Sequence, residues 1–391
     1  MANRGAEAAP FAFSEEQALI AASARDLLRE RVSFDAVRSA LETEAGYDAA
    51  LFREIGELGW LGMAIPESFG GAGMGATELV SVVEWMGRVV YGSPFLANVL
   101  AAELVLQAAS EAQQAEMLPK LAAGEMLATI AVGEAQGSWD LGELSSLAVR
   151  EGAGYRLRGE KAFVLDAQNA DLLLVACKGP DGPLIVAVPT ADLPAGAIRP
   201  ERLVDATRRS ARVRLDGVQV PATAALSGAD ATHSLQRVQR LGALLVAAEM
   251  SGAAQGVFEL TLEYLKSRVQ FGRKIGGYQA LKHPMVWLLM GIEHGRSLLY
   301  NAATLWDRAL GNGSQDASEI EIAVRAAKLQ CGEACTETAD RAIQFHGAYG
   351  FTWECHAQLF FRRAQWAEYT FGDSGHHRRH LATLLLGKQS R

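Results

Sequence analysis

The chain has 391 residues, of which 49% are apolar and 21% are charged, so it can bury a large core in two or three folding units. Its net charge of −8 at pH 7 argues against a nucleic-acid partner, because such proteins concentrate positive charge on one face. The first ten residues lack the apolar core of a signal peptide, and no apolar run approaches the ~20 residues that a membrane helix needs. We therefore expect a soluble, cytoplasmic protein without membrane insertion.

The pattern in residues 1–127 is helical. Ser14 and Gln17 have the spacing of a capping box, which predicts a helix over 18–32. Further helices are expected over 49–59 and 77–87. The glycine-rich loop 69–75 does not have the GxGxxG spacing and follows a helix, so we interpret it as a turn and not as a dinucleotide-binding loop.

Residues 128–230 change to short β-branched or alternating segments that are broken by Gly, Pro and Asp. The strands are predicted over 127–132, 155–159, 161–165, 171–176, 183–188 and 210–215. Arg156 and Arg158 alternate with apolar neighbours, which is typical of a sheet with one face in water. This region is predicted to be an antiparallel β-domain or barrel.

Residues 231–391 return to long helices, predicted over 235–266, 284–310, 317–344 and 356–370. Ala247, Gly252 and Ala253 in the first of these would allow close helix packing. The fold class is therefore α+β and multidomain, with an N-terminal helical domain, a middle β-domain and a C-terminal four-helix bundle.

Two sequence blocks carry a resemblance to a known family. Residues 264–283 read YLKSRVQFGRKIGGYQALKH, and residues 344–354 read QFHGAYGFTWE. The first is similar to the Y-x-x-x-R-x-Q-F-G…Q-x-x-K motif of acyl-CoA dehydrogenases, and the second resembles their Q-x-x-G-G-x-G-F stretch. The resemblance extends over nearly the whole chain in the same order. It implies a bound FAD, an acyl-CoA substrate and an electron-transferring flavoprotein as the acceptor.

The residue types in these blocks suit a flavin dinucleotide. A helical Arg268 can bind the pyrophosphate through two parallel hydrogen bonds, and Phe271 offers an apolar face to a ring. Gln270 and Gln279 can each donate and accept hydrogen bonds. The second block adds Gln344, Gly347 and Ala348. Because Gly347 and Ala348 are small, backbone amides at these positions can approach phosphate oxygens. In the family these blocks act across a subunit boundary, so we expect a homodimer, a homotetramer or a heterotetramer.

The residues expected at the flavin ring and at the base depart from the family. Ungapped counting from Gln344 and from Arg268 puts Phe371 and Gly242 at the two positions where relatives carry the catalytic glutamate. Phe163 can replace a flavin-shielding tryptophan, whereas Leu165 cannot donate the usual hydroxyl hydrogen bond. Asp373 stands where the family has a threonine that contacts the flavin.

Two carboxylates are candidate replacements for the missing base. Glu249 lies on the correct helix but two turns away, roughly 10 Å at 1.5 Å per residue. Glu368 precedes Phe371 by almost one turn. For each, a structural salt bridge or a solvated side chain is the commoner explanation.

The sequence offers little support for a metal site. Cys331 and Cys335 are one helical turn apart, without the CxxC pairs that zinc sites usually show. His376 and His380 have the same spacing, but the neighbouring arginines favour a solvated helix face.

The leading hypothesis is a flavin-binding subunit that needs a catalytic partner, as in heterotetrameric dehydrogenases for steroid-derived and dicarboxylic acyl-CoAs. The alternatives are an independent dehydrogenase with an unusual base, a flavin monooxygenase of the same fold, and a non-enzymatic scaffold.

Overall fold

The computed structural model describes residues 13–312 and 317–387, and its first region is helical. The six N-terminal helices are α1 (Glu15–Arg31), α2 (Phe34–Leu41), α3 (Ala49–Glu57), α4 (Ala76–Arg88), α5 (Phe95–Ala108) and α6 (Glu111–Ala123). The predicted capping box is confirmed: the Ser14 hydroxyl accepts a hydrogen bond from the amide of Gln17, whose side chain accepts one from the amide of Ser14.

The middle region contains nine strands. These are β1 (Ala128–Ala131), β2 (Leu147–Glu151), β3 (Gly154–Arg158), β4 (Glu160–Leu165), β5 (Leu172–Gly179), β6 (Gly182–Pro189), β7 (Ile198–Pro200), β8 (Ser210–Arg214) and β9 (Gln219–Pro221). The larger sheet has the order β1-β5-β2-β3-β9 with β6 also paired to β5, and the smaller sheet has the order β4-β8-β7. The predicted β-domain is confirmed, although β5 runs parallel to β1 and β2. The other named pairs are antiparallel.

The C-terminal region is helical, as predicted. Its helices are α7 (Ala231–Ser267), α8 (Gln279–Asn312), α9 (Ala317–His346), α10 (Ala357–Tyr369) and α11 (Ser374–Leu386), and a small hairpin of β10 (Val269–Gln270) and β11 (Arg273–Lys274) separates α7 from α8. Helix α7 touches α4 closely through glycine. A Cβ on Gly252 would lie 1.7 Å from the carbonyl oxygen of Glu84, so no other residue fits there without moving a helix.

Helix α7 is long and apolar enough to cross a membrane, judged by length and composition alone. Its most apolar window is, however, 94% buried inside the protein, as in the core helix of a globular domain. The cytoplasmic location stays a prediction.

Candidate functional site

Two cavities of similar size meet at the turn between α10 and α11. The apolar cavity, of about 430 Å³, lies between the middle domain and α10, and its lining includes Val132, Gly133, Phe163, Leu165 and Trp366. The polar cavity, of about 420 Å³, lies between α7, α9 and α11, and its lining includes Gln236, Arg240, Glu321, Arg325, His376 and His380. Both volumes fall in the range of small-molecule sites.

A pair of aromatic rings forms the boundary between these cavities. Trp139 and Phe371 line both of them, and their ring centroids are 4.8 Å apart. Trp139 is fixed at both ends: its indole nitrogen donates to the carbonyl oxygen of Tyr369 at 3.1 Å, and its own carbonyl accepts from the Gln239 side chain at 3.0 Å. No sequence pattern marks Trp139, because the contacts that give it this position come from residues far along the chain.

Phe371 and Gly242 occupy a single place in the fold. A Cβ built on Gly242 would lie 2.6 Å from the ring carbons Cε1 and Cζ of Phe371. The ring is buried, with 5% exposed, and the Phe371 backbone has a positive φ of 58°. The two positions that ungapped counting predicts for the catalytic glutamate are therefore filled together by one aromatic ring against one glycine.

Glu249, a candidate base from the sequence, lies in a buried ion-pair network in the structure. Its carboxylate is 1% exposed, forms ion pairs with Arg208 and Arg363, and lines neither cavity. Arg363 also contacts Asp205, so the network ties α7 and α10 to the middle domain. A carboxylate held by two buried guanidinium groups has a structural role.

Glu368 also lines neither cavity. Its Oε1 accepts a hydrogen bond from the backbone amide of Ser374 at 2.8 Å, at the start of α11. Asp373 is the N-cap of the same helix, and its Oδ1 accepts from the amide of His376 at 2.6 Å. In the structure, both carboxylates satisfy orphan amides at a helix end.

Three other carboxylates line the cavities, and each is already engaged. In the polar cavity, Glu321 is paired with Arg325, and the Asp140 side chain accepts from the amide of Gly142. In the apolar cavity, Glu134 pairs with the fully buried Lys161 at 2.7 Å. Burial alone would raise the pKa of Glu134, but the hydrogen bonds from Lys161, Ser145 and Ser146 hold that pKa well below its usual range.

The histidines of α11 only partly form the predicted solvated face, because His380 is exposed and His376 is half-buried. His377 is buried, and all three histidines line the polar cavity. Burial and then the neighbouring His380 and Arg325 lower the pKa of His376 to about 4, so this ring is neutral at pH 7. Within residues 13–312 and 317–387, no group of three or more His, Cys, Asp and Glu side chains is arranged to hold a metal ion.

The two motif blocks lie side by side, outside both cavities. The ring of Tyr264 from the first block stacks on His346 of the second at 4.2 Å and approaches Tyr349 at 6.5 Å. The predicted binding residues of these blocks are all exposed: Arg268, Gln270, Phe271, Gln279, Gln344, Gly347 and Ala348. We call these seven residues the outer surface.

The sequence predicts that Arg268 lies within a helix, but in the structure it lies just after the end of one. It is the extended C-cap of α7, and its carbonyl accepts from the amide of Ile275, which closes the loop around the β10–β11 hairpin. At the tip of this hairpin, Phe271 has a positive φ of 54° and is 90% exposed. Burying so large an apolar ring requires a ligand or another chain.

The apolar cavity fits the flat ring system of a flavin. Phe163 projects there with 49% of its surface exposed, because a bulge between Lys161 and Val164 gives its backbone a positive φ of 56°. Gly133 is required beside it, since a Cβ at that position would lie 2.7 Å from the carbonyl oxygen of Ala162. Leu165 completes this wall without offering a hydroxyl group.

Comparison with known proteins supports the fold. The acyl-CoA dehydrogenase N-terminal domain matches residues 14–125, and the acyl-CoA dehydrogenase C-terminal domain matches residues 234–386. The acyl-CoA dehydrogenase IpdE2 of Mycolicibacterium smegmatis is 30% identical over 352 residues, which cover 90% of this chain and 93% of IpdE2.

Two solved structures share the whole architecture. The Tcur3481–Tcur3483 steroid acyl-CoA dehydrogenase is similar with a TM-score of 0.83 and 28% identity, covering 95% of this chain and 98% of the other. A chain of the electron transferring flavoprotein structure from Acidaminococcus fermentans has a TM-score of 0.86 and 25% identity, covering 97% of this chain and 100% of the other.

Proposed function

Because the chain belongs to the acyl-CoA dehydrogenase family of FAD-dependent oxidoreductases, we propose that it is the subunit without a catalytic carboxylate in a heteromeric acyl-CoA dehydrogenase. The observation that carries this proposal is the packing of Phe371 on Gly242. Dehydrogenation begins with removal of a proton from the carbon next to the thioester carbonyl, and a phenyl ring cannot accept that proton. The FAD, when bound, supplies the acceptor for the hydride.

The carboxylates near the cavities do not replace the missing base. Glu134 already carries the charge of a tight ion pair with a lowered pKa, which makes it a weak proton acceptor. Glu321 is held by Arg325 on the far side of the Trp139–Phe371 boundary from the apolar cavity. The chain's own contribution is therefore the binding and orientation of the cofactor.

Two parts of the chain would hold the cofactor. Phe163, Leu165 and Gly133 offer the flavin ring an apolar wall. The outer surface supplies a guanidinium, three amides and an exposed aromatic ring, which suit the pyrophosphate and adenine half. Since none of the outer-surface residues lines the apolar cavity, this surface would serve a flavin whose ring lies in a neighbouring chain.

Two similarities support a heteromer and a flavoprotein acceptor. One similar structure is a steroid acyl-CoA dehydrogenase named for two proteins, Tcur3481 and Tcur3483, and another contains an electron transferring flavoprotein. The proposed assembly thus pairs this chain with a homologous chain that retains the glutamate. The proposed substrate is an acyl-CoA thioester, and an electron-transferring flavoprotein is the proposed acceptor.

The test is to purify the chain alone and together with a homologue that keeps the glutamate, and to measure FAD content and acyl-CoA-dependent dye reduction. We expect the pair to be active and the lone chain to be slower by about 10²–10⁴, the usual contribution of a general base. Strong activity of the lone chain would refute the proposal. Oxygen consumption with a hydroxylated product would favour a monooxygenase, and absence of stoichiometric FAD from every assembly would favour a scaffold.

A further inference from the structure

Lys328 on α9 is a buried cation beneath the turn that carries Phe371. It is 1% exposed, and its ammonium donates to three carbonyl oxygens: those of Ala367 at 3.0 Å, Glu368 at 3.2 Å and Gly372 at 3.1 Å. None of the ion pairs found among residues 13–312 and 317–387 includes Lys328. A buried lysine is ordinarily paired with a carboxylate, so a buried lysine whose hydrogen-bond acceptors are carbonyl oxygens is unusual.

The three acceptors lie on both sides of Phe371. Ala367 and Glu368 belong to the last turn of α10, where carbonyl groups have no partner within the helix. Gly372 follows Phe371, and the two residues have positive φ angles of 101° and 58°. A phenylalanine persists in such a conformation only where its surroundings hold it.

We propose that Lys328 is a positioning residue for Phe371: its ammonium group closes the turn 370–373 and thereby keeps the phenyl ring on Gly242, between the two cavities. The inference extends the proposed function, since it explains how the chain maintains the aromatic block in place of a base. It concerns a position in the folded protein, however, and needs neither substrate nor catalytic partner to be tested.

Several charged or titratable groups face Lys328. They are the carboxylates of Glu368 and Asp373, the thiols of Cys331 and Cys335, and the ring of His377. Burial raises the pKa of Cys335 to about 12 and also raises that of Cys331, whereas burial and then Lys328 itself lower the pKa of His377 to about 2. Neither the thiols nor this ring therefore titrates between pH 7 and pH 10.

Lys328 is the group expected to titrate in that interval. Burial lowers the pKa of Lys328 to about 8. The neighbouring carboxylates raise this pKa, but by less than burial lowers it. A neutral amine donates fewer and weaker hydrogen bonds than an ammonium group, so the turn should loosen as the pH rises through this value. Arginine at the same position would stay charged throughout.

Trp139 provides a direct reporter for the ring of Phe371. The full-length protein is labelled with 5-fluorotryptophan, which gives seven ¹⁹F signals, and the Trp139 signal is assigned from Trp139→Phe. Its shift depends on the adjacent phenyl ring, 4.8 Å away. Trp85, which packs between Arg29 and Arg88, serves as an internal control.

The wild-type Trp139 signal should move with a midpoint near pH 8 while the Trp85 signal stays fixed. In Lys328→Arg the Trp139 signal should not move between pH 7 and pH 10. In Lys328→Met the Trp139 signal at pH 7 should have the chemical shift that the wild-type protein shows at pH 10. Lys266→Met, which removes an exposed lysine, should behave like wild type.

The proposal is overturned if Lys328→Met and wild type give the same Trp139 signal at pH 7, or if Lys328→Arg titrates like wild type. Should Lys328→Met fail to fold, the wild-type and Lys328→Arg titrations decide the question by themselves. A lysine that only stabilised the fold would change the unfolding midpoint and leave the Trp139 signal in place. An active lone chain would refute the proposed function without altering these signals.

Discussion

The phenyl ring of Phe371 and the α-carbon of Gly242 are in such close contact that neither position can be changed without affecting the other. A side chain as small as a methyl group on Gly242 would come within 2.6 Å of the ring, closer than carbon atoms approach in folded proteins. Because one residue lies in α7 and the other after α10, the contact also fixes the two helices relative to each other.

Gly242→Ala should therefore destabilise the protein although alanine is the better helix former. The overlap should cost about 1–3 kcal/mol, against a gain in helix propensity of about 1 kcal/mol. Combining it with Phe371→Ala should remove the overlap, so the two effects on the free energy of unfolding should not add. Urea denaturation of the single and double variants measures this. Gly291→Ala, where the nearest atom would be 3.8 Å away, is the matched control and should be neutral or stabilising.

Phe371→Glu should give the lone chain a measurable acyl-CoA-dependent dye reduction, because it restores a carboxylate at the boundary of the two cavities. Burial at this position should raise the carboxylate pKa towards that of an activated substrate. We expect a gain of about 10²-fold or more over wild type, the lower end of general-base contributions. Phe371→Gln has nearly the same shape without a base and should stay inactive. Equal rates for the two variants, with FAD bound, would show that the missing carboxylate alone does not limit the rate of dye reduction by the lone chain.

Much of the fold follows from the sequence because its signals are local. Helices α7 to α10 show continuous apolar periodicity, and the Ser14–Gln17 box marks a helix start within four residues. Ungapped counting from Arg268 and Gln344 singled out Gly242 and Phe371, and the structure brings these two residues into contact.

The rest of the site depends on contacts between distant residues, which a sequence pattern does not encode. Glu249 has the spacing of a possible base, but its partners Arg208 and Arg363 come from another domain and another helix. Trp139 acquires its place through Tyr369, which lies 230 residues away. A polar residue among apolar neighbours is equally compatible with an ion pair and with catalysis until its partners are known.

Arg268→Ala should leave the stability of the chain unchanged within about 0.5 kcal/mol, because the side chain is exposed and lies at a helix end. In the assembled complex it should weaken FAD binding by about 10- to 100-fold, the loss expected for charged hydrogen bonds of about 1.5–3 kcal/mol. The absorbance of bound flavin after dialysis measures this. Lys266→Ala, two residues earlier and also exposed, should retain its FAD. Full retention of FAD by Arg268→Ala would remove the outer surface from the cofactor site.

Lys161→Met should be among the most destabilising single changes, because it leaves the buried carboxylate of Glu134 without its cation. Removing one partner of a buried pair costs about 3–5 kcal/mol. The folded-state pKa of Glu134 lies below its unfolded value, so in wild type its contribution is present above about pH 4.5 and is lost as the pH falls towards the folded pKa. In the variant the unpaired carboxylate takes up a proton more readily when folded, so the difference in unfolding free energy should shrink from pH 7 to pH 5. Urea denaturation at both pH values measures that difference. If the difference in unfolding free energy between Lys161→Met and wild type does not change with pH, lost packing and not the unpaired charge accounts for the instability.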